Sequence, residues 1–311
     1  MIIDRLISKI IETESPIVVG LDPKFDMIPD FIKEKYFREM GKTPEAAAKT
    51  FLEFAKNIID SIHDLVPAVK PQIAMYEEFG SAGIEAYAKI ISYAQSKGLI
   101  VIGDIKRGDI ASTAECYSAA HIGRVKVGDT SHKIFNSDFI TVNPYMGFDS
   151  IQPYFGDCKE YDKGLFALLK TSNPGSKDIQ DILTQDGKPL YQHVGNLINE
   201  WGSGFIGNYG YSSIGAVVGA THPEEGEMLR KKLPHTFFLV PGYGAQGGTG
   251  KDLTGMTDKN GIGIIVNSSR GITGAYKTEK YKDYPQTAFA DAAREAVIDM
   301  KKDLMENKRS H

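Results

Sequence analysis

Cysteine and tryptophan are nearly absent from this chain: two of the first and one of the second among 311 residues. Cys116 and Cys158 lie far apart and lack metal-ligand spacing, so neither a disulfide framework nor a cysteine-bound zinc site is expected. They suit a reducing cytoplasm, packed as small hydrophobes. No apolar run approaches the roughly 18 residues of a membrane span. The histidines, His63, His121, His132, His193, His222, His235 and His311, are scattered, with no H-x-x-x-H pair. No G-x-G-x-x-G links an early strand to a helix, and no G-x-S-x-G elbow is present. Excess charge is missing too. A net charge of −4 gives no general attraction to nucleic acid or to an anionic membrane. No metal site and no cofactor are expected, so any chemistry rests on fixed charges, hydrogen bonds and a lysine proton.

A full core is affordable, with 41% hydrophobic and 24% charged residues. Ile2, Ile3, Leu6, Ile7, Ile10 and Ile11 recur at helical spacing, broken by Asp4, Arg5, Lys9 and Glu12. That is an amphipathic helix covering apolar surface, not a signal peptide. Short β-branched runs then alternate with helical stretches. Strands are expected at Ile17–Asp22, Ala68–Ile73, Leu99–Lys106, Phe139–Asn143, Leu165–Thr171, Gly215–Val218, Phe237–Val240 and Ile262–Val266. Helices are expected near Ala46–His63, Ile84–Ser96, Ser112–Ile122, Glu224–Lys231 and Gln286–Glu306. This alternation predicts an α/β fold, a (β/α)8 TIM barrel. Two connections are long. Lys24–Thr43 is rich in aromatics and reads as an ordered insertion. Asn173–Tyr211 holds a possible helix around Leu190–Trp201. Both follow strand ends, so extra helical insertions are expected at the barrel's C-terminal face. No linker-like break appears, and residues 1–311 are expected to form one domain.

The strand ends carry the polar residues. Leu99-Ile100-Val101-Ile102 runs into Asp104-Ile105-Lys106-Arg107-Gly108-Asp109. Strand alternation points Asp104 and Lys106 the same way. A structural salt bridge and a reactive pair fit this segment equally well. Lys70, inside the apolar second strand, needs a carboxylate or a ligand, and Asp104 on the next strand is its natural partner. Asp22, ending the first strand, can accept from a sugar hydroxyl or cap the following turn. Thr171-Ser172-Asn173-Pro174-Gly175 offers donors for a planar ligand edge, or an ordinary turn. Asn143 and His222 have equally plain capping readings. After the seventh strand comes Pro241-Gly242-Tyr243-Gly244-Ala245-Gln246-Gly247-Gly248, and after the eighth comes Arg270. Glycines let backbone amides approach a phosphate, and arginine holds one through two hydrogen bonds. Barrels often bind phosphate at these two loops.

In order along nearly the whole chain, G-L-D-P at Gly20–Pro23, Lys70 in V-K-P-Q, D-I-K-R-G-D-I at Asp104–Ile110, T-S-N-P-G at Thr171–Gly175, P-G-Y-G-A-Q-G-G at Pro241–Gly248 and Arg270 resemble the orotidine 5′-phosphate decarboxylase family, in its longer bacterial branch. The resemblance implies cofactor-free decarboxylation of orotidine 5′-monophosphate to UMP, the last step of de novo UMP synthesis, by a cytoplasmic homodimer with shared active sites. It implies catalytic roles for Asp104 and Lys106, and for Asp109 reaching the partner's site with Ile110 and Thr113. Asp22 and Lys70 would contact ribose, and Ser172 the pyrimidine. Asn143 and Pro241 would add to the substrate site, with Gln246, Gly247 and Arg270 at the phosphate. Gly247–Lys259 resembles a closing lid. Ala111 stands where many relatives carry proline. The competing readings are a magnesium-dependent keto-sugar-phosphate decarboxylase or aldolase of the same superfamily, and a noncatalytic nucleotide-binding barrel. The first resembles a pattern with an acidic metal ligand where Lys70 stands. The second would be expected to lack Lys106 or an aspartate.

Overall fold

Aliphatic runs too short for helices, bounded by polar or glycine-containing turns, become strands. In the computed structural model, which describes residues 1–244 and 247–307, the barrel strands are β1 (Ile17–Leu21), β2 (Ala68–Pro71), β3 (Ile100–Arg107), β4 (Phe139–Val142), β5 (Gly164–Lys170), β6 (Ser212–Val218), β7 (Thr236–Val240) and β8 (Ile264–Ser268). Consecutive strands pair in parallel, and β8 closes on β1. The expected α/β barrel is what forms. Its strands are buried on both faces, which is why they read as continuous apolar runs. The interior layer of Val18, Ala68, Ile102, Phe139, Phe166, Val217, Phe237 and Ile265 packs against Ile3, Leu6 and Ile7. The helix Ile2–Glu12 therefore plugs the N-terminal end of the barrel. Each of these side chains other than Ala68 contributes roughly 1.5–3 kcal/mol by leaving water.

Some boundaries shift for local reasons. β8 starts at Ile264 rather than Ile262, because the Asp258 carboxylate accepts from the amides of Asn260 and Ile262 and holds that stretch in a turn. β6 starts at Ser212 rather than Gly215. Its buried serine hydroxyl donates to the Gly202 carbonyl and accepts from the Ile214 amide, so a polar residue enters the strand. A hairpin of Val125–Val127 and Thr130–His132 and a helix at Tyr154–Glu160 were not expected. Cys158 is buried as anticipated, but Cys116 is exposed.

Both insertions are ordered. The first forms a helix at Asp30–Met40, with the Phe25 ring against Phe37, Phe51 and Phe79. It is tied to the segment after β8 by the Tyr276 hydroxyl, which donates to the Met27 carbonyl. The second supplies the expected helix Leu190–Trp201. The anticipated lid is anchored over much of its length. Thr249 and Asp252 form a capping box, Gly250 N donates to Asp303, and Leu253 and Met256 are buried.

Candidate active site

A bulge at the end of β3 builds the centre of the site. Ile102 pairs with Phe139, Gly103 with Ile140, and then Arg107 with Val142. Asp104, Ile105 and Lys106 thus stand opposite Thr141 alone. Lys106 takes a φ of +46°, where non-glycine residues seldom sit and where strain gathers at functional positions. Thr141 makes this backbone tolerable. Its Oγ1 accepts from the amides of Ile105 at 3.0 Å and Lys106 at 2.9 Å. It also donates to Asp104 Oδ1 at 2.9 Å. Simple alternation anticipates that Asp104 and Lys106 meet, and they do, but the bulge rather than regular pleating brings them together. Thr141 carried no signal in the sequence beyond its place in a strand.

Asp104 binds both lysines. Lys70 Nζ lies 2.6 Å from its Oδ2, and Lys106 Nζ lies 2.5 Å from its Oδ1. Asp104 and Lys70 are buried, whereas the Lys106 side chain is 46% exposed. The more accessible lysine is therefore Lys106. Burial alone would raise the Asp104 carboxyl, but the charges of Lys70 and Lys106 overcome it and hold the group well below the usual carboxylate range. Burial alone would lower Lys70, and Asp104 and then Asp22 reverse that, raising it.

This array borders a cavity of about 690 Å³, which Asn143, Ser172 and Pro241 also line. The far wall comes from the second insertion, through Ile179, Gln180, Leu190, Tyr191 and Val194. Gln180 grips Thr171, accepting from its amide at 3.0 Å and donating to its hydroxyl at 2.8 Å. The insertion is pinned by buried Lys170, which pairs with Asp181 and stands over the Tyr191 ring. Of this wall, the sequence offered the length of the insertion and the helix expected around Leu190–Trp201, but not Ile179, Gln180, Lys170 or Asp181. His222 makes no capping bond to the following helix; its Nε2 lies 3.1 Å from the Thr171 carbonyl oxygen.

Asp22, Asp109, Ile110, Thr113, Gly247 and Arg270 lie outside the cavity lining. Asp22 is half-buried, its buried Oδ1 has no hydrogen-bond partner among the described residues, and no described hydrogen bond from it caps the turn. Asn143 does cap, accepting from Tyr145 N at 3.0 Å. Gly247 adopts a φ of +91°, which suits glycine. Gln246 lies outside the described residues. Arg270 follows β8 and is exposed, with no ion-pair partner among the described residues. Asp109, Ile110 and Thr113 do not contribute to the cavity lining. Asp109 Oδ1 accepts from Ile110 N at 2.8 Å, Ile110 is 55% exposed, and Thr113 sits in the first turn of the helix Ala111–His121.

The Orotidine 5′-phosphate decarboxylase / HUMPS family matches residues 15–284. The chain belongs to this family. It is 48% identical over 305 residues to the orotidine 5′-phosphate decarboxylase of Petrotoga mobilis, covering 98% of both chains. It is 45% identical to that of Clostridium tetani over 306 residues, again 98% of each. The solved OMP decarboxylase of Leishmania donovani superposes with a TM-score of 0.70 at 30% identity, covering 97% of this chain and 99% of that one. The chain therefore spans its relatives almost end to end.

Proposed function

We propose that this chain decarboxylates orotidine 5′-monophosphate to uridine 5′-monophosphate, with no metal or cofactor. The observation that carries the reading is the Lys70–Asp104–Lys106 array at the edge of the cavity. Losing carbon dioxide from C6 of the pyrimidine breaks the C6–carboxylate bond and leaves the electron pair on C6. The Lys106 ammonium stabilises that charge and then gives C6 its proton. Water reprotonates the amine. Asp104 fixes both lysines as charged and places a negative charge beside the departing carboxylate. Lys70, already paired, serves as a ribose contact together with Asp22, whose unpartnered Oδ1 suits a hydroxyl donor. Ser172 reads the pyrimidine, with Asn143 and Pro241 beside it. Gln246, Gly247 and Arg270 hold the phosphate, and Arg270 has no ion-pair partner among the described residues to compete for it. Binding energy from the phosphate then helps to order the charges around C6.

The proposal extends to assembly. Asp109, Ile110 and Thr113 complete the site of a second copy, so the working form is a homodimer. Exposed Ile110, Tyr145, Met146 and Phe148, on loops joined where Gly108 meets Asn143, supply an apolar surface suited to such a contact. Residues 1–311 act as one decarboxylase domain in the cytoplasm, without nucleic-acid or membrane partners. No described helix is long and apolar enough to cross a membrane. Magnesium-dependent chemistry of the wider superfamily is disfavoured by Lys70, because its ammonium would repel a cation held beside Asp104.

The direct test follows the ultraviolet absorbance of orotidine 5′-monophosphate with purified protein, with and without a chelator. Loss of substrate at equal rates supports the proposal. No loss, or loss abolished by the chelator, overturns it.

A further inference from the structure

A second polar cleft lies at the opposite end of the barrel, beneath the starts of β3, β4 and β5. Its volume is about 330 Å³, at the lower end of ligand-sized pockets. Arg5, Arg124, Lys133 and Lys163 line it, with Asp138 as the acidic group among the lining residues. That carboxylate is already engaged. Its Oδ2 accepts from Val101 N at 3.0 Å and from Gln95 Nε2 at 3.3 Å.

Lys163 is the telling residue. It is only 6% exposed, yet its ammonium has poor company. Asn136 O lies 3.3 Å away and Asp138 Oδ1 3.6 Å away. Three N–H donors thus share two long contacts, which is unusual for a buried charge. Burial, only partly offset by Asp138, draws its pKa down. Arg124 lies across the Tyr161 ring, 4.4 Å from its centre, and donates to its neighbour's carbonyl at Gly123. Stacking of this kind orients a guanidinium before a ligand arrives. Arg5 reaches Asp162 only at 3.9 Å. Positive charge therefore converges on a cleft with too little negative charge to match it.

We infer that this cleft binds a phosphorylated anion, at a site separate from the decarboxylation site and on the opposite end of the barrel. Lys163 supplies the buried charge, Arg124 the pre-oriented fork, and Arg5 and Lys133 the rim. Because Arg5 belongs to the plugging helix Ile2–Glu12, a bound anion also ties that helix to the strands it covers.

The test is calorimetric titration of the full chain with inorganic pyrophosphate at low salt. The wild type and four variants, Arg124→Ala, Lys133→Ala, Lys163→Met and Arg270→Ala, are compared after thermal melts confirm that they fold. Loss of a charge-assisted phosphate contact is expected to weaken binding about tenfold or more in Arg124→Ala and Lys163→Met. Lys133→Ala, altered at an exposed rim residue, is expected to weaken it by about threefold. Arg270→Ala should keep this binding, and Arg124→Ala should keep wild-type turnover of orotidine 5′-monophosphate. Absence of binding in the wild type overturns the inference. So does binding that disappears in Arg270→Ala and survives unchanged in the three cleft variants.

Discussion

At the scale of single residues, the site is a problem of placing charge out of water. Asp104 is held below the ordinary carboxylate range, so its contribution to stability is present above about pH 4 and fades as the pH falls through its lowered pKa. Lys70 is raised, so its contribution is present below about pH 10.4 and fades at higher pH. The pair therefore stays charged throughout the neutral range. His121 behaves differently. Its ring stacks on Phe135, its Nδ1 has no hydrogen-bond partner among the described residues, and burial, then the Arg107 charge, pushes its pKa down to about 3. The unfolded chain takes up this proton first. Its contribution to stability is therefore full above about pH 6.5 and is lost progressively as the pH falls below it toward about 3, at up to about 1.4 kcal/mol per pH unit. Urea unfolding at stepped pH values should show a shallower acid decline in His121→Phe than in wild type. Parallel curves would mean that His121 does not set this slope.

At the scale of elements, the barrel and its strand ends were legible because buried parallel strands repeat short apolar runs and finish in polar residues. The Asp104–Lys70 pairing was legible for the same reason, since a lysine in such a run needs a carboxylate. The bulge at Asp104–Lys106 was not legible, because it depends on one hydroxyl, that of Thr141, from another strand. The wall formed by 173–194 was equally hidden. Its length was visible, but its docking depends on Lys170, a buried cation met by Asp181 across a turn. The partly exposed carboxylate tempers the energetics of that pair. Asp181→Ala should still destabilise the fold by about 2 kcal/mol, because it strands a buried ammonium. Adding Lys170→Met should recover most of that loss, measured as shifts in urea midpoint. A double variant no more stable than Asp181→Ala would show that the pair does not pin the wall.

At the scale of the whole molecule, Lys70, Asp104 and Lys106 line the cavity while Asp109 does not. One chain thus carries an acid that its own cavity does not use, and the dimer proposal gives that acid a place. Mixing Asp109→Ala with Lys106→Ala, each inactive alone, should create heterodimers with one intact and one doubly altered site. Random exchange at equal amounts then restores up to about a quarter of wild-type activity. Demonstrated exchange without recovery would place Asp109 outside a shared site.

In the proposed reaction Lys106 provides the proton and the positive charge at C6. The initial rate of orotidine 5′-monophosphate loss catalysed by folded Lys106→Ala, set against wild type under the same conditions, decides whether it does. Losing both functions should slow turnover by at least about a thousandfold. A variant that decarboxylates within a few-fold of wild type would contradict the account.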